Sequence, residues 1–140
     1  MEMERLKLVA LDEADLEVIS ACLQDAVFKT GDMAFSKTAG GFAVEANRFV
    51  WEDSRDADKK TWERRLALLS LRQVKAVRSR GIDLSNKYTV HSLLTIQFAA
   101  DDDAPRGALD LVLAGVASVR LVFECIVVQL ADAGGSWGTG

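Results

Sequence analysis

The sequence predicts an α+β domain, in which an N-terminal amphipathic helix precedes about seven mostly antiparallel strands and a short helix closes the chain. The 140 residues are 49% hydrophobic and include one proline, an ordinary composition for a single globular domain. Near the N-terminus, apolar residues recur at the spacing of an amphipathic helix. Past it, β-branched and aromatic runs alternate with turn residues. Consecutive hairpins of this kind need a two-layer or barrel-like sheet to cover their inner faces.

The first helix has the clearest local signals. It follows the β-leaning run "LKLVAL", and its apolar residues Leu16, Ile19 and Leu23 recur at helical spacing. Asp12 is placed to cap the first turn, and Leu11 can pack on Leu16 as a hydrophobic staple. We therefore predict an amphipathic helix that begins after Asp12.

The middle of the chain predicts a hairpin and a long strand. "VFKTGDMAFSK" and "FAVEANRFVWE" are extended runs joined by "TAGG", and the polar "EDSRDADKK" is a solvated loop. In "RRLALLSLRQVKAVRSRG", Leu66 and Leu68 keep one alternation while Leu69 and Leu71 keep the opposite one. This pattern indicates a strand with a bulge, or one buried on both faces.

The last third predicts three more strands and a closing helix. "TVHSLLTIQF" is a strand, "AADDDAPRG" a loop, and "ALDLVLAG" with "ASVRLVFE" a hairpin turning at Gly115. In "ECIVVQLADAGG" the β-branched residues favour a strand, whereas Ile126, Leu130 and the closing Gly134 favour the short helix that we predict. We place one domain over residues 1–134 and a flexible glycine-rich tail over 135–140. One arrangement that fits is the strand order of pleckstrin-homology-like barrels.

Positive charge is concentrated in one stretch of an acidic chain. The net charge is −4, yet residues 59–80 carry eight Lys/Arg and one acid. In an extended strand Arg72 and Arg78 share a face, and with Arg80 they form a basic stripe. The stripe can meet an acidic partner, nucleic acid or the acidic helix, or it can simply suppress edge pairing. A pI near 5.0 and the lack of interleaved exposed aromatics disfavour nucleic acid.

Two further groups of residues are candidate binding residues. In "NRFVWE", Arg48 and Trp51 are residue types that are enriched at recognition sites. Alternation places Trp51 on the face opposite Arg48, and a tryptophan there is more typical of a core anchor. Gln24 and Asp25 close the first helix, and together with Arg48 they could orient a small anionic ligand in a pocket between helix and sheet.

The sequence contains no recognisable catalytic constellation. His91 is the one histidine and has no obvious partner residue, and "TAGGF" lacks the spacing and the lysine of a phosphate-binding loop. Cys22 and Cys125 lie far apart in apolar surroundings and are interpreted as reduced packing residues. We therefore predict no cofactor and no metal, and we lean against an enzyme.

The sequence also favours a cytoplasmic protein. No apolar run reaches the length of a membrane-spanning helix, so no membrane association is predicted. Acidic residues near the N-terminus stand where a secretory signal would carry basic residues followed by a continuous apolar run.

Five short stretches carry a family resemblance. In the order "LQDAV", "NRFVWE", "RSRGID", "LLTIQF" and "ECIVVQLAD", they resemble a family of small bacterial proteins, domain of unknown function 2948. The resemblance implies a single bacterial cytosolic domain and brings no activity or catalytic residue with it.

From the residues themselves we predict a non-enzymatic protein-binding or self-assembly module. In this prediction the sheet displays Arg48, Arg72, Arg78 and Arg80 to an acidic protein partner or to a second copy. The alternative is an anionic-ligand or enzyme domain that uses the pocket beside the first helix.

Overall fold

The computed structural model describes residues 6–52, 61–100, 103 and 105–133. Within them lie one α-helix, a short 3-10 turn and ten strands. The helix α1 spans Glu13–Leu23. The strands are β1 (Lys7–Ala10), β2 (Val27–Lys29), β3 (Met33–Ser36), β4 (Gly41–Glu52), β5 (Thr61–Leu71), β6 (Val74–Arg80), β7 (Val90–Ala100), β8 (Gly107–Leu113), β9 (Ala117–Phe123) and β10 (Val128–Asp132).

The described strands form one open antiparallel sheet. Its order is β1-β10-β5-β4-β2-β7-β8-β9-β6, and β3 pairs with β4 beside this path. The prediction of about seven strands in a two-layer or barrel-like sheet is therefore wrong, and so is the pleckstrin-homology-like order with its closing helix. The sheet is larger because "LKLVAL" and residues 128–132 also form strands, which pair with each other.

The predicted C-terminal helix is a strand. Residues Val128–Asp132 form β10, which pairs with β5 on one side and β1 on the other. Leu130 is fully buried between these neighbours. Pairing on both edges outweighs the helical spacing of Ile126 and Leu130, because strand preference depends on tertiary contacts that lie far away in sequence.

The long basic segment bends instead of running straight. It divides into β5 and β6 at Arg72 and Gln73, where Gln73 takes a positive φ of 61°. The neighbouring connection between β9 and β10 bends beside it: the Arg72 N–H donates to the Val127 carbonyl and the Glu124 N–H donates to that of Gln73, both at 2.9 Å. The four leucines all precede this bend, in the regular part of β5, where Leu69 and Leu71 face the core and Leu66 and Leu68 face outward. The opposed alternations therefore reflect apolar residues on both faces of the strand.

The helix covers one end of the core as predicted. Asp12 caps it by accepting from the Asp15 N–H at 2.8 Å, and Leu16, Ile19 and Leu23 are its buried residues. After the helix, Asp25 adopts a left-handed φ of 68° and donates its N–H to the Leu93 carbonyl at 2.8 Å. These contacts fix the end of α1 against β7.

Candidate functional site

A groove opens where two strand edges face each other. We call this cavity of about 360 Å³ the strand-edge groove. Its lining comes from β3, β4, β6, β9 and the loops beside them: Thr30, Gly31, Met33, Ala34, Phe35, Phe42, Val77, Ser79, Leu84, Lys87 and Val119. Thr30 to Phe35 come from one edge, and Val77 and Ser79 come from the other.

Both edges are open to further pairing among the described strands. β3 pairs with β4 and β6 with β9, each on one side. The edges approach each other at one end of the groove, where the Val74 N–H donates to the Gly40 carbonyl at 2.9 Å. Beyond this point the edge N–H and C=O groups have no ladder partner among the described strands, and such edges template the addition of another strand.

The floor of the groove is apolar. Phe42 and Val119 are 3% and 1% exposed and belong to the inner faces of β4 and β9. The rim is more accessible, since Phe35 is 37% and Leu84 62% exposed. A chain in the groove would therefore rest on the edge of the protein core.

The neighbouring outer face is positively charged. Arg78 and Arg80 are exposed on β6, and Lys87 lines the groove. Arg120, opposite Arg78, donates two 2.8 Å hydrogen bonds to Asp110 and so lowers the pKa of that carboxyl. Among the described residues Arg78 and Arg80 form no ion pair within 4.0 Å, although the charge of Arg80 helps to lower the pKa of Asp110.

Hydrogen bonds organise the loop that follows β6, which lines the groove with Leu84 and Lys87. Asp83 accepts hydrogen bonds from the Ser85 N–H and hydroxyl, which lower its pKa. The Gly31 N–H donates to the Lys87 carbonyl at 2.9 Å. The bond to the Lys87 carbonyl thus ties this loop to the turn before β3.

His91 is a structural residue beneath this groove. It is 7% exposed, and its Nε2 lies 2.7 Å from the Thr30 hydroxyl. Its ring centroid lies 5.5 Å from that of Phe28. Desolvation lowers the pKa of His91 below its ordinary value. The neutral ring thus joins β7 to the turn that lines the groove.

A second cavity lies at the end of α1. This helix-end pocket, of about 460 Å³, is lined by Ala21, Cys22, Gln24, Asp25 and Phe49. The Arg64 guanidinium carbon lies 5.3 Å from the centre of the Phe49 ring. Gln24 and Asp25, chosen from sequence, thus line one pocket together.

Arg48 is buried, whereas the sequence analysis predicted that the sheet displays it to a partner. It lies on the buried face of β4 and is 9% exposed. Its Nε and Nη2 donate to the two carboxylate oxygens of Asp132 at 2.7 and 2.8 Å. Arg65 lies 3.8 Å from the same carboxylate. Alternation along the strand could not reveal this pair, because its two residues lie 84 positions apart in the sequence.

The environment keeps this pair charged. Burial acts to raise the pKa of Asp132, but hydrogen bonds from Arg48 and from the Leu6 N–H outweigh it, so the pKa lies below the ordinary value. The hydrogen bond with Asp132 raises the pKa of Arg48. The ion pair therefore holds β4, β10 and the start of β1 together.

The other sequence-predicted site residues are dispersed. Arg72 is exposed at the bend, while Arg78 and Arg80 lie along β6. The side chain of Trp51 lies outside the described residues. Sequence reasoning missed the rim residues Leu84 and Lys87; the signal was an isolated leucine in the polar stretch "IDLSNKY".

Over the described ranges, no group of three or more His, Cys, Asp or Glu side chains could hold a metal ion. The helix found there is not long and apolar enough to cross a membrane.

Comparison with known proteins gives one match. The model of a family described as "Protein of unknown function (DUF2948)" matches residues 6–140, nearly the whole chain. No curated protein matches, and no solved structure does.

Proposed function

Because the chain belongs to the DUF2948 family, whose function is unknown, we propose a function from its geometry: it is a non-enzymatic module that binds an extended segment of a partner protein in the strand-edge groove. One observation carries the proposal. Two strand edges, β3 and β6, flank the same groove, and each is paired on one side among the described strands. Strand addition at such an edge uses main-chain hydrogen bonds for affinity and side-chain pockets for specificity.

The groove also defines the sequence of its partner. In an added strand, successive side chains point to opposite faces. Those pointing inward meet the floor of Phe42 and Val119 and must be apolar. Those pointing outward lie beside Arg78 and Arg80 and are favoured if acidic. The partner segment therefore alternates apolar and acidic residues.

Synthetic peptides test this directly. We expect a peptide of alternating valine and glutamate to bind, and a peptide of the same composition with its valines and glutamates in separate blocks to bind at least about tenfold more weakly. In NMR spectra of the labelled protein, the β3 and β6 amides should shift and become protected from exchange. Equal binding of both peptides, or shifts confined to other strands, would contradict the proposal.

Variants in the groove, each compared with a control variant elsewhere, test whether the peptide binds there. Leu84→Glu places a charge on the groove rim and should weaken the alternating peptide about tenfold or more. Leu11→Glu is the control, because Leu11 is as exposed as Leu84, 65% against 62%, but lies before α1. Arg78→Gln with Arg80→Gln should reduce the association rate and its salt dependence, whereas Arg72→Gln should not.

A second candidate function is small-molecule binding in the helix-end pocket. The cavity beside Gln24 and Asp25 favours it, since pockets of this size hold metabolites. An anionic ligand has less support, because Arg48 is bound to Asp132 while the lining includes the carboxylate of Asp25. A fragment screen by NMR that shifts Cys22 and Asp25, and loses those shifts in Asp25→Asn, would favour it.

A cytoplasmic location is also part of the proposal. Cys22 and Cys125 are both free, as is usual in a reducing compartment. Fractionation of cells that express the tagged chain would test it.

A further inference from the structure

The sheet also exposes aliphatic side chains on the outer face of β1 and β5. Leu66 and Leu68 are 41% and 37% exposed although β5 lies between β4 and β10. Val9 on β1 is 53% exposed. Outer faces of antiparallel sheets that remain solvated are normally polar, so leucines on a strand that is paired on both sides indicate a surface that something covers.

The register arranges this surface in two rows across four strands. Residues paired across neighbouring strands lie on the same face of the sheet. We call these two rows, together with Leu66 beside them, the outer leucine face. The first row runs through β4, β5, β10 and β1 as Glu45, Leu68, Ala131 and Lys7. The second row runs through the same strands as Ala43, Ser70, Gln129 and Val9.

Each row is complementary to the same row of a second copy when the strand order of that copy runs in the opposite direction. Reversal places Leu68 on Ala131 and Glu45 on Lys7, and in the second row it places Val9 on Ala43. A large side chain therefore meets a small one, and an acid meets a base. A twofold axis that runs along the strands, between β5 and β10, performs this reversal when two copies pack face to face.

From this self-complementarity we propose that the outer leucine face binds a second copy of the chain and forms a symmetric dimer. The contact is sheet on sheet, with the strands of the two copies aligned to within about 30°. Within one copy, Lys7 and Glu45 are three strand spacings apart, roughly 14 Å, so they cannot pair with each other. Neither has an ion-pair partner within 4.0 Å among the described residues. The second copy supplies it.

Two charge reversals test the axis. Lys7→Glu places acids opposite each other in the dimer, and Glu45→Lys places bases opposite each other, so each variant alone should dimerise at least about tenfold more weakly than the parent chain. An equimolar mixture of the two variants restores both pairs. We therefore expect sedimentation velocity to show a heterodimer in the mixture at concentrations where each variant alone is monomeric.

A second pair of variants tests the apolar part of the dimer contact. Leu68→Asp should shift the dimer to monomer, whereas Leu94→Asp should not, because Leu94 is similarly exposed, 44% against 37%, but lies on β7. Circular dichroism checks that both variants fold. A parent chain that stays monomeric at all concentrations, a mixture that associates no better than its components, or a dimer that survives Leu68→Asp but not Leu84→Glu would overturn the proposal.

Discussion

At the scale of single residues, the buried pair of Arg48 and Asp132 matters most for stability. The side chains are 11% and 4% exposed, and removing one partner leaves the other as a buried charge. We expect Arg48→Leu or Asp132→Leu to lower the free energy of unfolding by about 3–5 kcal/mol. The double variant should lose less than either single variant, since neither charge of the buried pair is then left without the other. Urea denaturation of the three proteins measures these values.

The exposed pair of Arg120 and Asp110 is the control for these three variants. Its two hydrogen bonds have nearly the same lengths, 2.8 Å each, but the Arg120 side chain is 49% exposed. Arg120→Leu should change stability far less than Arg48→Leu, because water and salt screen an exposed pair. Similar losses at both sites would show that burial is not the cause.

His91 makes stability depend on pH. Its pKa in the folded protein lies below the ordinary 6.5, because burial disfavours the charged ring. The unfolded chain therefore binds more protons in this range, so the contribution of His91 is complete above about pH 7 and declines as pH falls through the folded pKa. We expect the free energy of unfolding to fall between pH 7.5 and 5.5, and to change less over that range in His91→Gln. An equal decline in both proteins would exclude His91 as the cause.

At the scale of elements, the turn after β6 depends on a glycine. Gly81 has a φ of +72°, and a Cβ there would lie 2.7 Å from the Val116 carbonyl oxygen. Gly115 has a φ of +83° with nothing within 4 Å of its Cβ position. Both Gly→Ala changes carry the left-handed penalty of about 1 kcal/mol or more, but only Gly81→Ala adds a clash. Gly81→Ala should therefore destabilise the protein more in thermal unfolding.

Elements with local causes were predictable from the sequence. Helix α1 follows from the Asp12 cap and the spacing of Leu16, Ile19 and Leu23. The bend between β5 and β6 was not predictable in this way, because the alternating leucines belong to the two faces of β5 and do not mark the positive φ at Gln73. The strand β10 was not predictable, because its cause is pairing with β1 and β5 and not a local preference. The same holds for the groove, whose walls come from separate parts of the chain.

At the scale of the whole molecule, the topology joins distant parts of the sequence. Lys7 pairs with Ala131, and Val128 pairs with Leu71. Sheets dominated by such non-local pairs fold in about milliseconds to seconds, slower than helical bundles of similar size. We expect stopped-flow refolding to give a main phase in that range. A microsecond phase that accounts for the full amplitude would contradict this topology.

The hydrogen bonds made by Asp132 also affect when the sheet can form during protein synthesis. Its carboxylate binds Arg48 on β4 and the Leu6 N–H, so it secures parts of the sheet synthesised much earlier. A nascent chain still held inside the ribosome near this residue cannot place β10 between β1 and β5. The sheet is therefore completed only after residues 128–132 have left the ribosome, and until then Arg48 lacks the carboxylate that binds it in the folded protein.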